Sequence, residues 1–357
     1  MKRILSVLLI ALLATTAVFA DWAFSGNFDI GYTFGFDGDT TLTTIDGDNS
    51  APEAGFLYLK GGNEYISFDV RGELEVVNTG DNAGSLVRGG GIGMTATLNA
   101  TNLLNLAFGL ELPVDVNFYL GNQSPETDAD YAYADPSGID DEISLGASRN
   151  MYPAGVSVGY GSLITGYAYA ALDILDTTGN AGGLFEIRTN PIAGVRANIG
   201  YVASAAETAQ DFQVSALVDF GELFGLGFGL DVSASYVANI DHAEDNSHFM
   251  AAVTGSYAGF GAYAEYEYYN DTESASTHDK ESNIYFGVSY DLATAVPVSL
   301  GADLTLNNVQ DEDAFSVGGD VSVGLAILDL NLYAELGVED FSDGDTGYVT
   351  VGTYIYF

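Results

Sequence analysis

Carboxylates are the main chemical resource of this chain. Its 357 residues carry 50 Asp and Glu against nine Lys and Arg, with three His and no Cys, for a formal charge of −41. Many of the acids fall at every second position of alternating stretches: Asp69 and Glu73, Glu111 and Asp115, Asp231, Glu265 and Glu267, Asp303, Asp320 and Glu335. Arg71, Arg188 and Arg196 share that parity. Side chains two apart on a strand project from the same face, so these residues would line one wall. Carboxylates lining a water-filled passage attract cations. Such a wall sets a field without any one acid being a specific site. A denser group occupies GNQSPETDADYAYADPSGIDDE, Gly121 to Glu142, with seven carboxylates: Glu126, Asp128, Asp130, Asp135, Asp140, Asp141 and Glu142.

Other chemistries are poorly served. A hydrolase would need Ser, His and a polar orienting group converging on one patch; His242, His248 and His278 lie in or beside loops and suggest no such constellation. No enzyme activity is expected. No cofactor and no metal site is expected either, since His242 and His248 alone make no zinc centre. Asp46-Gly47-Asp48-Asn49 and Asp311-Glu312-Asp313 could hold Ca2+ adventitiously, but they lack the spacing of a calcium-binding loop. Nucleic acid is excluded as a partner by the absence of a basic footprint.

The elements that position the acids are strands. From Trp22 to Phe36 the even positions are Trp, Phe, Gly, Phe, Ile, Tyr, Phe and Phe, and the odd ones are small or polar. The same split recurs over Ile66–Val76, Leu106–Leu120, Val296–Leu306, Phe315–Leu325 and Leu330–Val338. Strands of about 10–15 residues exceed the soluble mode of about 5–6 and suit tilted membrane-spanning strands of about 9–11. Short turns at Gly61-Gly62-Asn63, Gly221-Glu222-Leu223, Ala258-Gly259 and Ala293-Thr294-Ala295 alternate with acidic loops at 37–53, 78–89, 121–140, 239–247, 271–281, 308–313 and 340–346. That asymmetry is the pattern of an outer-membrane barrel. Trp22 and Phe24 at one end of the first strand, and Phe34 and Phe36 at the other, predict two aromatic girdles about 25 Å apart. The raw strand count is about 19. Merging Gly155–Tyr160 with Leu163–Leu175 gives 18, the preferred number, and three mergers give 16. Gly155–Leu172 is uncharged enough to be read as a spanning helix, but its four glycines and β-branched and aromatic residues favour strand.

Lys2 and Arg3, the apolar run Ile4–Val18 and the small residues before Asp21 predict a secretory signal peptide over 1–20, cleaved after Ala20. Residues 21–357 then form a single barrel domain, with seven Lys and Arg left against 50 acids. A soluble sandwich also alternates. Strand length, loop asymmetry, terminal aromatics and the export signal separate the two. In lipid every backbone polar group must be paired within the protein, so strands cross only as a closed barrel. The last strand, TGYVTVGTYIYF, must therefore meet the first. Val349, Val351, Ile355 and Phe357 are expected toward lipid and Tyr348, Tyr354 and Tyr356 inward, with Phe357 at the inner girdle near Trp22 and Phe24.

Pro125-Glu126 and the acids that follow the fifth strand, together with the closing Val351-Gly352 and Phe357, make the chain resemble the trimeric diffusion porins of bacterial outer membranes. That resemblance implies that 121–142 folds into the barrel as a constriction loop whose acids face wall arginines, of which Arg71 is nearest by strand order. It also implies a homotrimer, recognition of the terminal aromatic by the barrel assembly machinery, and an outer-membrane location. The chain departs from the family at Ile355, where Tyr is usual, and in its thin set of arginines.

The expected function is a passive diffusion channel for small hydrophilic solutes with cation preference, surrounded by outer-membrane lipid. Two alternatives stay open. One is a substrate-selective channel in which Tyr119, Tyr263, Tyr269 and Tyr333 stack on sugar rings. The other is a structural or adhesive surface barrel carried by the acidic loops.

Overall fold

A computed structural model describes residues 21–36, 40–43, 53–76, 86–121, 154–172, 181–204, 210–240, 247–270, 280–294, 296–311, 314–327, 330–342 and 346–356. Nineteen strand segments lie among them. The first nine are β1 Asp21–Gly35, β2 Thr40–Thr43, β3 Glu53–Gly62, β4 Ile66–Val76, β5 Leu86–Asn99, β6 Asp115–Gly121, β7 Ala154–Tyr160, β8 Ile164–Leu172 and β9 Ala181–Ile192. The rest are β10 Val195–Ser204, β11 Gln210–Asp219, β12 Gly229–Ile240, β13 Ser247–Tyr257, β14 Phe260–Asn270, β15 Lys280–Leu292, β16 Val298–Asn307, β17 Ser316–Ile327, β18 Leu330–Val338 and β19 Gly347–Tyr356. Two helices, α1 Ala100–Phe108 and α2 Phe220–Phe224, join β5 to β6 and β11 to β12.

β2 and β3 pair with successive stretches of one edge of β1: Gly31–Phe34 faces Thr43–Thr40, and Asp21–Phe28 faces Gly62–Gly55. They share one position in the sheet, so the 19 segments make 18 positions (19 minus the one shared). Each position is antiparallel to the next, and β19 returns to the other edge of β1 from Asn27↔Tyr356 to Gly35↔Tyr348. The sheet closes as an 18-position up-and-down barrel. The expected number holds, but not the merger behind it: β7 and β8 are separate antiparallel partners, turned at Gly161 with φ of 55°.

The seam between β1 and β19 is secured on its inward side by two side-chain contacts. Asn27 Nδ2 donates to the Tyr354 hydroxyl at 2.8 Å, and the hydroxyls of Thr33 and Thr350 lie 2.8 Å apart. On the outward side the Phe36 ring covers Gly347 so closely that a Cβ there would collide with it. Tyr348 and Tyr354 thus face inward and Val351 outward, as the alternation predicts. Phe357 lies outside the described residues. The last register pair, Asn27↔Tyr356, sits five residues along β1 from Trp22.

Two stretches depart from the strand pattern. Leu106–Val114 is not the start of a long strand: it holds the end of α1 and the turn before β6. The side chain of Asn99 caps α1 by accepting from Asn102 N at 2.8 Å, and Gly109 ends it with φ of 65°. An N-cap and a left-handed Gly C-cap override a short alternating stretch. Likewise Gly221-Glu222-Leu223 is no tight turn but the centre of α2, capped by Asp219 and ended at Gly225. The expected loop 37–53 also contains β2, which extends the pairing of β1 outward.

Burial is inverted relative to a soluble protein. Phe24, Phe34, Phe118, Phe185, Val288 and Val321 are exposed on the outer surface, whereas Gln213, Glu186, Glu265, Glu267 and Asn198 are buried on the inner one. Phe24 and Phe34 stand at opposite ends of β1, as the girdles require. An apolar exterior around a polar wall belongs in lipid.

The Thr33–Thr350 pair gives a test. Thr350→Val alone leaves Thr33 without its partner and is expected to cost about 1 kcal/mol, whereas Thr33→Val/Thr350→Val together cost less than the sum of the single variants. Urea unfolding midpoints measure this, and strict additivity would refute a coupled seam contact.

Candidate functional site: the inner wall

Alternation on long strands sends every second side chain inward, and neighbouring strands stack these into rows. On the β14–β18 side the rows are acidic. Glu267 lies opposite Met250 and Asn283, and Glu265 opposite Ala252 and Tyr285. Asp303 on β16 is directly opposite Asp320 on β17, and Glu335 on β18 is opposite Ser322.

Two tyrosines frame the last three acids. Tyr263 on β14 lies across Gly287 on β15, and its hydroxyl donates to Asp303 Oδ1 at 2.7 Å. Tyr348 on β19 lies across Gly337 on β18 and donates to Glu335 Oε1 at 2.7 Å. Only glycine leaves room there, because a Cβ at either position would meet the ring. The glycines let each ring lie along the wall and reach an acid.

The bases lie elsewhere. Lys60 on β3 pairs with Asp69 on β4 at 3.1 Å and sits 5.5 Å above the Tyr58 ring. Arg71 is on β4 opposite Tyr58 and Gly93. Arg188 on β9 grips Glu186 with two bonds, Nε to Oε1 at 2.8 Å and Nη2 to Oε2 at 3.1 Å. Arg196 is on β10, in line with the buried Asn198. Beyond Arg196 the sequence holds no Arg and a single Lys, Lys280, at the outer end of β15. Among the described side chains the wall is therefore divided, with bases on β3–β10 and a long acidic arc from β11 onward.

The sequence-predicted residues distribute as follows. Asp69, Arg71, Asp115, Arg188, Arg196, Asp231, Glu265, Glu267, Asp303, Asp320 and Glu335 all lie on strands with inward parity. Glu73 is on β4, although its side chain is outside the described residues. Glu111 is not on the wall: it is exposed in the turn after α1, because the capped helix displaces the strand expected there. Glu126, Asp128, Asp130, Asp135, Asp140, Asp141 and Glu142 fall outside the described residues, as do the acids of 46–49 and Glu312 and Asp313.

Sequence reasoning missed Glu186 and the buried polar set Asn198, Gln213, Ser215 and Ser235. Glu186 was findable, since it stands two residues before Arg188 on one strand face. Asn198 and Ser215 are also legible as a cross-strand pair once the β10–β11 register is known; the Ser215 hydroxyl donates to Asn198 Oδ1. Tyr119 hydrogen-bonds to Ser157 at 2.8 Å, and Tyr269 packs edge-on to His248 with centroids 4.2 Å apart.

No protein-family model and no curated protein matches the sequence. Solved structures do. The fold is similar to OccK9 (OpdG) of Pseudomonas aeruginosa, with TM-score 0.59 and 11% identity over 95% of this chain and 97% of that one. OccK3 (OpdO) of the same organism gives TM-score 0.59 and 11% identity over 94% and 95%. OccAB3 of Acinetobacter baumannii gives 0.55 and 10% over 94% and 99%. These are outer-membrane porins, and the likeness is one of fold along nearly the whole chain.

The Glu186–Arg188 pair yields a prediction. Arg188→Leu removes both of the pair's bonds from the buried Glu186 carboxylate and is expected to destabilise the barrel by roughly 3–5 kcal/mol, whereas Glu186→Leu/Arg188→Leu recovers most of that loss. Chemical unfolding of the two variants decides it; equal losses would mean that the ion pair is not what holds Glu186.

Proposed function

We propose that this chain is an outer-membrane porin, a passive diffusion channel for small hydrophilic solutes that prefers cations. One observation carries the reading: the acidic arc of Glu265, Glu267, Asp303, Asp320 and Glu335 on β14–β18, on a side of the barrel whose only Lys or Arg from β11 to β19 is Lys280 at the outer end. A wall so rich in carboxylates raises the local cation concentration and repels anions. The fold likeness to outer-membrane porins supports the location in that membrane, with lipid around the apolar exterior. Cleavage after Ala20 belongs to the same proposal, as do the constriction role of 121–142 and Arg71, the homotrimer and recognition by the barrel assembly machinery.

The hydroxyls of Tyr119 and Tyr263 are engaged by Ser157 and Asp303, which ties these side chains to the wall.

Purified protein in a planar bilayer under a salt gradient is expected to give open conductance with a cation-biased reversal potential. The Asp303→Asn/Asp320→Asn/Glu335→Gln variant should move that potential toward zero while conductance persists. Anion preference in the unaltered protein, or a reversal potential unmoved by the triple change, would refute the assignment of selectivity to this arc.

A further inference from the structure

Two of the connections at the short-turn rim are helices, and both expose apolar side chains. In α1 the polar side chains are tied to backbone groups of the neighbouring turns. The Thr101 hydroxyl donates to Val114 O at 2.9 Å and accepts from Val116 N at 2.8 Å. Asn102 Nδ2 donates to Glu64 O at 2.7 Å, and Asn105 Oδ1 accepts from Leu112 N at 3.3 Å. What remains outward is Leu104, 41% exposed, Leu106 and Phe108, 69% exposed, followed by Leu110 and Leu112 in the next turn. The helix sequence ATNLLNLAF contains no charge at all.

This is the reverse of a water-facing helix, which keeps its charged face outward. It is also continuous with an established apolar surface, since the chain runs from Leu112 into β6, whose Phe118 and Leu120 are exposed on the lipid side. The second helix follows suit: in α2 Phe224 is exposed, its ring stacked 6.0 Å from Phe220, and the exposed Phe228 follows just before β12.

We infer that α1, together with Leu110 and Leu112, is a membrane-interface anchor that seats the short-turn rim among the headgroups and upper acyl chains of its leaflet. Helices with one apolar face and a polar face lie in that zone, held by buried apolar area with or without charge attraction. With no Lys or Arg in α1, apolar area must do all of the holding. The occupant of the face is lipid, not protein. The inference goes beyond the channel reading, and its failure would leave conductance and selectivity as they are.

The chain has no cysteine, so single-cysteine variants label cleanly. Leu104→Cys and Phe108→Cys, each carrying an environment-sensitive fluorophore, are reconstituted in phosphatidylcholine vesicles, with Glu64→Cys in the neighbouring turn as a water-facing control. The gel-mobility shift of the folded barrel confirms each variant. Spin-labelled lipid is expected to quench the labels at 104 and 108 several-fold more than the control, and aqueous iodide on both sides to do the reverse. The pattern in phosphatidylcholine should persist at high salt, because no basic residue of α1 takes part in the seating. Quenching of both positions by iodide without a lipid effect would overturn the inference, as would shielding from both quenchers that appears only when copies of the chain associate.

Discussion

The obligation to pair every backbone N–H and C=O away from water governs this structure. Lipid offers no hydrogen bonds, so a sheet that crosses it cannot keep an edge. The meeting of β19 with β1 is therefore the condition on which every other strand's position rests. It explains why the first and last strands carry matched contacts on both sides of the seam, Thr33 with Thr350 and Asn27 with Tyr354 inward, Phe36 over Gly347 outward. Once the ends are joined, alternation sorts the remaining side chains between two solvents with no further instruction.

The inner wall follows from that sorting. A barrel of this many strands does not depend on a packed apolar core, so its inward residues can be polar, and acids gather there even where they are buried, as at Glu265 and Glu267. Two of the buried polar groups are satisfied by a neighbour on the wall: Arg188 clasps Glu186, and Ser215 donates to Asn198. The tyrosine–glycine pairs solve a different problem. Glycine weakens a strand by leaving nothing to pack, and a ring laid across it restores the contact while bringing a hydroxyl to the next acid.

Much of this was legible in the sequence. Period-two alternation gives the strands and the lipid and lumen faces of β4, β14, β16, β17 and β18, whereas the number of positions came from a merger that the separate strands β7 and β8 do not make. It failed where local capping beat periodicity. Leu106–Leu112 alternates as a strand would, but Asn99 and Gly109 bracket it with helix signals, and the helix displaced Glu111 from the wall. Asp219 and Gly225 did the same around α2. Register was the other unreadable quantity. That Asp303 meets Asp320, or that Tyr263 crosses Gly287, depends on turn geometry several residues away, and alternation alone cannot supply it.

The seam also has a meaning in time. Asn27 and Tyr354 are 327 residues apart in sequence, and Thr33 and Thr350 are 317 apart. Every other strand pairs with a neighbour along the chain, so its contacts can form as soon as the next hairpin exists. The seam alone must wait for the whole polypeptide, and it bears the largest loop-closure entropy of any pairing in the molecule. A chain halted before β19 would own nearly all of the native hydrogen bonds and still present two raw edges. Assembly of this barrel is thus a process with a single late, all-or-none step, and exposure of the half-made sheet is its period of greatest hazard.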